Sequence, residues 1–107
     1  MKYKTCVSIA ESSPNKIKIK LKIALKKSDY VEVRLDFLKI EQIPNTLEII
    51  KKDLNKIICT LRPTTEGGKF PGNEKERISI IKLIAEYNPF LLDIEFNTLK
   101  KDKKLAE

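Results

Sequence analysis

Charged side chains interrupt two short apolar runs of the sequence at a spacing of two residues. Glu32 and Arg34 lie in the run 30–35, and Asp93 and Glu95 lie in the run 90–95. Side chains two residues apart in a β-strand leave the same face of the strand. Because unpaired charge is expensive to bury, each pair has to meet a partner or a ligand. The spacing therefore indicates a polar site for a small molecule, one that tolerates an anion.

Two further polar positions lie near the ends of such runs. Ser8 lies near the end of the run 5–10. Arg62 ends the run 57–62, and a charged loop with two glycines follows it at 63–70. In parallel α/β sheets, ligands bind at the carboxyl ends of the strands. We therefore expect these side chains to converge on one site.

The same charges have a structural alternative. Glu32 and Arg34 could form a buried ion pair, and Asp93 or Glu95 could pair with Arg62. Structural ion-pair networks also place charges in clefts. The residues alone leave both interpretations open, and the convergence of three strand ends favours the ligand site.

The elements that would position these residues are four short runs rich in Val, Ile or Leu, which recur at intervals of about 25 to 35 residues. They cover residues 5–10, 30–35, 57–62 and 90–95. Between them, apolar residues repeat at helical spacing in 44–55 and 73–87, and Asn73 with Glu76 matches a capping box. Strands alternating with helices predict a parallel sheet with helices outside it.

One connecting segment is ambiguous. Lysines alternate strictly with apolar residues over 16–23, which by pattern favours an exposed strand. Ile17, Leu21 and Ala24 also share a helical face, and the Ser-Pro pair at 13–14 suits a helix start. The pattern alone favours neither a strand nor a helix, and the alternation of strands and helices along the rest of the chain favours a helix.

The chain of 107 residues is predicted to form a single domain, residues 1–107. Four βα units make half of a (β/α)8 barrel or a small open α/β sheet, whereas a complete barrel needs roughly 250 residues. No glycine-rich phosphate-binding motif follows a strand, so a nucleotide-binding fold has no positive support.

The net charge is +7, and three of the 22 basic residues are arginines, which leaves 22 − 3 = 19 lysines. Arginine is the residue that reads phosphates and bases bidentately. We therefore interpret the lysines as solvated helix faces and expect no nucleic-acid partner, with a basic nucleic-acid-binding protein as the alternative. The N-terminus does not resemble a signal peptide, and no apolar stretch approaches the ~20 residues of a membrane span, so no membrane partner is expected.

The sequence contains no histidine, so the commonest general base near neutral pH is missing. Cys6 and Cys59 lie in apolar runs and belong to no Cys-x-x-Cys motif or Cys/His cluster. A metal site is therefore not expected. We interpret both as buried, reduced thiols, which fit a cytoplasmic protein.

Two motifs resemble those of type I 3-dehydroquinate dehydratases. Residues 32–37 (Glu-Val-Arg-Leu-Asp-Phe) resemble the second-strand motif of that family. Residues 60–70 (Thr-Leu-Arg-Pro-Thr-Thr-Glu-Gly-Gly-Lys-Phe) resemble its third-strand motif and loop. Residues 6–9 and 92–95 fit its first and fourth strands in order and spacing. The resemblance covers about residues 4–99.

The resemblance implies an α/β fold of the (β/α)8 TIM-barrel class, of which this chain would form about the first four βα units. It also implies a lyase of the shikimate pathway, which dehydrates 3-dehydroquinate to 3-dehydroshikimate without a metal or cofactor. In that family a lysine forms a Schiff base with the substrate ketone, and the iminium acidifies the neighbouring C–H. A histidine takes the proton and helps water to leave.

Carried over to this sequence, the resemblance implies individual residue roles. Its substrate-binding positions, which bond the substrate hydroxyls and orient the ring, would be Ser8, Glu32, Arg34 and Arg62. Glu66 resembles the acidic residue that orients the catalytic histidine. Asp36 and Asp93 would support the substrate-binding residues.

The family's histidine and Schiff-base lysine lie beyond the fourth strand, so none of its catalytic residues has a counterpart here and Glu66 has no histidine to orient. We therefore expect no dehydratase activity from the chain alone. One hypothesis is a fragment, a split gene product or a degraded gene. The other is a half-barrel that assembles with a complementing C-terminal half or as a homodimer, because a four-stranded sheet leaves two unpaired edges.

Overall fold

A computed structural model describes residues 6–93. Its helices and strands are β1 (Cys6–Ile9), α1 (Pro14–Lys27), β2 (Tyr30–Arg34), α2 (Ile43–Ile50), β3 (Ile57–Thr60), α3 (Glu74–Glu86) and β4 (Leu91–Asp93). The predicted alternation of four strands with helices is confirmed. Glu95, the second charged residue predicted on the fourth strand, lies outside the described residues.

The four strands form one parallel sheet in the order β1-β2-β3-β4. Sequential order is that of a (β/α)8 barrel, whereas doubly wound nucleotide-binding sheets reverse their order at a switch point. The predicted fold class, α/β with four parallel strands, is therefore confirmed. The register places Ser8 beside Glu32, and it places Thr60 between Arg34 and Asp93.

The helices bury one face of this sheet. Val31 and Val33 of β2 and Ile57 and Cys59 of β3 are fully buried, and they pack into one core with apolar side chains of all three helices. The helix residues in that core are Ile17, Leu21, Ala24, Ile43, Leu47, Ile50, Ile81 and Ile84. Because side chains alternate along a strand, the other residues of each strand project from the opposite face.

The ambiguous segment 16–23 is helical, as the alternation of strands and helices predicted. Pro14 occupies the first turn of α1, where its missing N–H leaves no bond unmade. Ile17 and Leu21 are buried against the sheet, whereas Ile19 and Ile23 stay exposed. Burial of one helical face, rather than the alternation with lysine, decides the conformation.

The other two helices differ from prediction in detail. α2 ends at Ile50, and residues 51–56 continue as 3-10 turns. The capping box before α3 is confirmed, since Asn73 Oδ1 accepts from the Glu76 N–H at 2.8 Å and Glu76 Oε1 accepts from the Asn73 N–H at 3.0 Å. On the buried face of α3, Arg77 lies beside the isoleucines.

Both cysteines are free, but their environments differ from each other. Cys59 is buried as predicted, and burial raises the pKa of its thiol to about 12, so it stays protonated. The prediction that Cys6 is buried is wrong. Cys6 is exposed because β1 is an edge strand and the register places Cys6 beside Tyr30, on the face away from the helices.

Within residues 6–93, no helix has the length and apolar character that crossing a membrane requires. Over the same range, no three His, Cys, Asp or Glu side chains are grouped so that they could hold a metal ion.

Candidate functional site

The polar side chains predicted for the site share the sheet face that the helices leave uncovered. We call this face, with Ser8, Glu32, Arg34, Thr60 and Asp93, the open face. Four of these residues belong to the carboxyl-terminal halves of their strands, and Glu32 is the middle residue of β2, beside Ser8. The parallel register therefore gathers them at one edge of the sheet, where α/β folds bind ligands.

The carboxylate of Glu32 is held between the two neighbouring strands. The Ser8 hydroxyl of β1 donates to its Oε1, and the Thr60 hydroxyl of β3 donates to its Oε2 at 2.7 Å. Thr60 is fully buried, Glu32 is half-buried and Ser8 is exposed. A carboxylate has about four lone-pair sites. Glu32 is thus fixed in direction and keeps acceptor capacity for a ligand hydroxyl.

Arg34 pairs with Asp36, which follows it in a 3-10 turn (Leu35–Phe37). Arg34 Nε donates to Asp36 Oδ1 at 3.0 Å and Arg34 Nη2 donates to Asp36 Oδ2 at 2.8 Å, a bidentate pair. The hydrogen bond to Asp36 raises the pKa of Arg34, and the negative charges of Asp36 and Glu32 raise it further. The predicted alternative of a Glu32–Arg34 ion pair is wrong, since the turn folds Asp36 back onto the guanidinium.

Arg62, just after β3, reaches the neighbouring strand. Its Nη2 lies 3.3 Å from Asp93 Oδ2, which confirms the predicted Arg62–Asp93 pair. The two side chains keep 38% and 42% of their surface exposed. Ion pairs this exposed contribute little stability, at most about 1 kcal/mol. The bond to Asp93 would therefore oppose the binding of a ligand anion at Arg62 only weakly.

The loop 63–70 lies against the end of β3. The 3-10 turn Thr64–Glu66 leads into Gly67, whose φ of 80° is the left-handed conformation that glycine adopts without strain. At Gly68, a Cβ would lie 2.0 Å from the Arg62 carbonyl oxygen, so only glycine fits. Glu66, the predicted orienter of a histidine, is the last residue of the 3-10 turn.

Two buried polar residues of this region had no predicted role. Thr60 begins the motif 60–70, but its function as a hydrogen-bond donor to Glu32 depends on strand register, which the motif does not show. Arg77 is 1% exposed, and its Nη1 donates to the Leu61 carbonyl at 2.8 Å while Nε and Nη2 donate to Glu74 at 3.2 and 3.0 Å. The i, i+3 spacing of Glu74 and Arg77 was the available signal.

Replacing Thr60 by valine should separate the Glu32 contact from core packing. Thr60→Val keeps the side-chain shape but removes the donor to Glu32 Oε2, a bond to a charged group worth about 1.5–3 kcal/mol. We expect the free energy of unfolding, measured by urea denaturation, to fall by about 1–2 kcal/mol. Thr60→Ser, which keeps the hydroxyl, is the control. A larger loss in Thr60→Ser than in Thr60→Val would show that the methyl group, not the hydroxyl, carries the effect.

Comparison with known proteins adds a family match. The model of the family described as Type I 3-dehydroquinase matches residues 5–107. The 3-dehydroquinate dehydratase of Lactococcus lactis is 41% identical over 75 residues, 66% of this chain and 32% of that protein. The enzyme of the same name from Methanocaldococcus jannaschii is 33% identical over 107 residues, 95% of this chain and 44% of that protein.

A solved structure has the same fold. The crystal structure of 3-dehydroquinate dehydratase from Geobacillus kaustophilus superposes with a TM-score of 0.75 at 23% sequence identity, covering 98% of this chain and 43% of that one. The chain therefore spans less than half the length of each of these three proteins.

Proposed function

Because the chain belongs to the type I 3-dehydroquinase family, we propose that it forms the N-terminal, substrate-binding half of a 3-dehydroquinate dehydratase barrel. In this proposal residues 1–107 are one domain, and the reaction is the shikimate-pathway conversion of 3-dehydroquinate to 3-dehydroshikimate. The observation that carries it is the Glu32 carboxylate, held by hydroxyls from two neighbouring strands at the ligand-binding edge of the sheet. The proposal requires no metal or cofactor.

The open face has the groups that a small hydroxylated carboxylate needs. Glu32 would accept a hydrogen bond from a substrate hydroxyl, because both its oxygens keep lone pairs beyond those bonded to Ser8 and Thr60. Arg34 and Arg62 supply positive charge at the same edge of the sheet. Since an aspartate offsets the charge of each arginine and Glu32 adds a negative charge, the site would favour hydroxyl recognition over tight anion binding.

The chemical step would use groups from outside this sequence. A lysine would condense with the substrate ketone to form an iminium ion and water, and the iminium would withdraw electrons from the adjacent C–H bond. A histidine would remove that proton, and the substrate hydroxyl would leave as water when it is protonated. Hydrolysis of the product iminium would then consume one water and release the ketone and the lysine. The sequence has no histidine, so Glu66 would orient a histidine supplied by another segment or chain.

The partner in this proposal is the C-terminal half of the barrel. β1 is an edge strand, and a groove of about 410 Å³ lies beside it, lined by Val7, Ile9, Ile23 and Ala24 with Lys20 and Lys27. A strand added parallel to β1 would satisfy its unpaired backbone groups, and the helix of that unit would cover the apolar lining. The lysines favour acidic residues on the covering helix. The solved dehydratase, of which this chain covers 43%, is long enough to include such a half.

Binding of 3-dehydroquinate to the 107-residue chain tests the substrate assignment. In an NMR titration of the wild-type chain, we expect chemical-shift changes at the amides of Ser8, Glu32 and Thr60. The affinity should be weak, in the millimolar range, because half the site is missing. Glu32→Gln should weaken binding by about 10-fold, since it loses a charged acceptor. Glu86→Gln is the matched control, because exposed Glu86 ends α3 at the opposite end of the sheet.

Equal affinity of the wild type and Glu32→Gln would contradict the assignment, as would shifts confined to the lysines of α1. Reducing conditions suit the measurement, because both cysteines are free. The free thiols also support the cytoplasm as the compartment that we propose.

A further inference from the structure

Asp36 connects two parts of the candidate site. Its carboxylate is buried and accepts three hydrogen bonds, two from the Arg34 guanidinium and one from the backbone N–H of Lys69 at 2.9 Å. Arg34 ends β2, and Lys69 belongs to the loop 63–70 that follows β3. One buried side chain thus joins the end of a strand to the loop of the next βα unit.

We propose that Asp36 is a positioning residue, which fixes the direction of the Arg34 guanidinium and the place of loop 63–70 as one unit. The inference rests on the proposed function, in which Arg34 meets the substrate and the loop carries Glu66. Because the same carboxylate oxygen, Oδ2, accepts from both Arg34 and Lys69, a displacement of the Asp36 carboxylate changes both bonds together.

The geometry leaves part of the Arg34 guanidinium for a ligand. A guanidinium has five N–H donors, and Asp36 takes two of them, so three stay available. The Phe37 ring, 5.2 Å from the guanidinium carbon, packs against the same group. A side chain fixed this way loses little further freedom when it binds, which is the advantage of preorganisation.

The loop is also fixed at its other end. Arg77 donates to the Leu61 carbonyl just before the loop, while Asp36 holds the Lys69 N–H near its end. Inside the loop, the Gly68 N–H donates to the Pro63 carbonyl at 2.8 Å. Loop 63–70 is therefore formed before any ligand arrives, and the polar interactions at its ends come from the 3-10 turn after β2 and from α3.

Hydrogen exchange in the 107-residue chain tests the coupling directly. Asp36→Asn leaves one acceptor oxygen and turns an NH2 group toward N–H donors, so we expect the Lys69 amide to exchange at least about 10-fold faster. The amides of Val33 and Cys59 in the sheet should change by less than about 2-fold, because a positioning role is local. A purely structural role would accelerate all three amides together and would overturn the proposal.

Asp53→Asn is the matched control, since half-buried Asp53 lies in the turn before β3, away from the strand ends that form the site. Should Asp36→Asn fail to fold, Arg34→Lys tests the same coupling, because it breaks the bidentate pair at a residue that is 19% exposed. Faster exchange at Lys69, by about 3-fold or more, supports the proposal. Unchanged exchange at Lys69 in Arg34→Lys refutes the coupling.

Substrate affinity provides the second readout. We expect Asp36→Asn to weaken 3-dehydroquinate binding by about 10-fold relative to the wild type and Asp53→Asn. Binding that is unchanged in Asp36→Asn, with Lys69 exchanging faster, would overturn the link between loop position and recognition. If the wild type binds no 3-dehydroquinate at all, the proposed function fails, while the exchange rates still decide whether Asp36 couples Arg34 to the loop.

Discussion

The 107-residue chain alone is expected to convert 3-dehydroquinate no faster than buffer does. The reaction that we propose needs a base and a Schiff-base lysine, and the sequence has no histidine to serve as that base. Proton transfer by a positioned base contributes typically 10²–10⁴-fold, and covalent catalysis adds to it. We therefore expect a deficit of at least about 10⁴-fold against a full-length relative, measured from the ultraviolet absorbance of the conjugated product.

Adding a C-terminal half should restore much of the missing dehydratase activity. The test mixes or co-expresses the chain with the part of the Methanocaldococcus jannaschii relative that the 44% match does not cover. We expect turnover only from the mixture, and we expect Glu32→Gln in this chain to reduce it while Glu86→Gln does not. The control is a half-barrel from that relative in which the lysine proposed to form the Schiff base is replaced by alanine, and activity that depends on the added chain should disappear with it.

Three other outcomes would be informative. Turnover by the purified chain alone would contradict the inactivity that we expect and would require a base other than histidine. A stable homodimer without activity, seen by light scattering, would mean that two copies cover each other's edges. A mixture whose halves bind each other but stay inactive would show that they associate without aligning the catalytic groups.

The spacing of apolar residues predicted the strands and helices well because it reports which side chains are buried. Strands β1 to β4 lie within the predicted runs, and the ambiguous segment became α1 since one helical face could be buried on the sheet. Cys6 was assigned wrongly for a related reason. An apolar run identifies a strand, but its position at the edge of the sheet, which exposes Cys6, depends on strand order.

Partners within the site were harder to predict than the residues themselves. Alternation placed Glu32 and Arg34 on one face, yet the bonds they form depend on register and on a turn. Register brings Thr60 beside Arg34 and within reach of Glu32, and the 3-10 turn after β2 brings Asp36 back to Arg34. Neither can be read from spacing, because the register depends on how separate strands pair and the turn depends on where β2 ends.

Replacing Gly68 by alanine is expected to damage the site more than any other single methyl group added to its loop. The new Cβ would lie 2.0 Å from the Arg62 carbonyl oxygen and 2.4 Å from its carbon, both backbone atoms that cannot swing away. The loop would have to leave the end of β3 and lose the Phe70 N–H bond to Arg62 at 3.2 Å. We expect the free energy of unfolding to fall by about 3 kcal/mol or more.

Gly67→Ala is the matched control, because Gly67 has a φ of 80° and open space around its Cα. The left-handed conformation costs an alanine about 1–2 kcal/mol, without a clash. In urea denaturation we therefore expect Gly68→Ala to lose clearly more stability than Gly67→Ala. We expect it to lose 3-dehydroquinate affinity as well, since Arg62 would no longer have the loop packed against its backbone. Equal stability losses would mean that the loop relaxes around the added methyl group, and that its close contact with Arg62 is not what holds the site together.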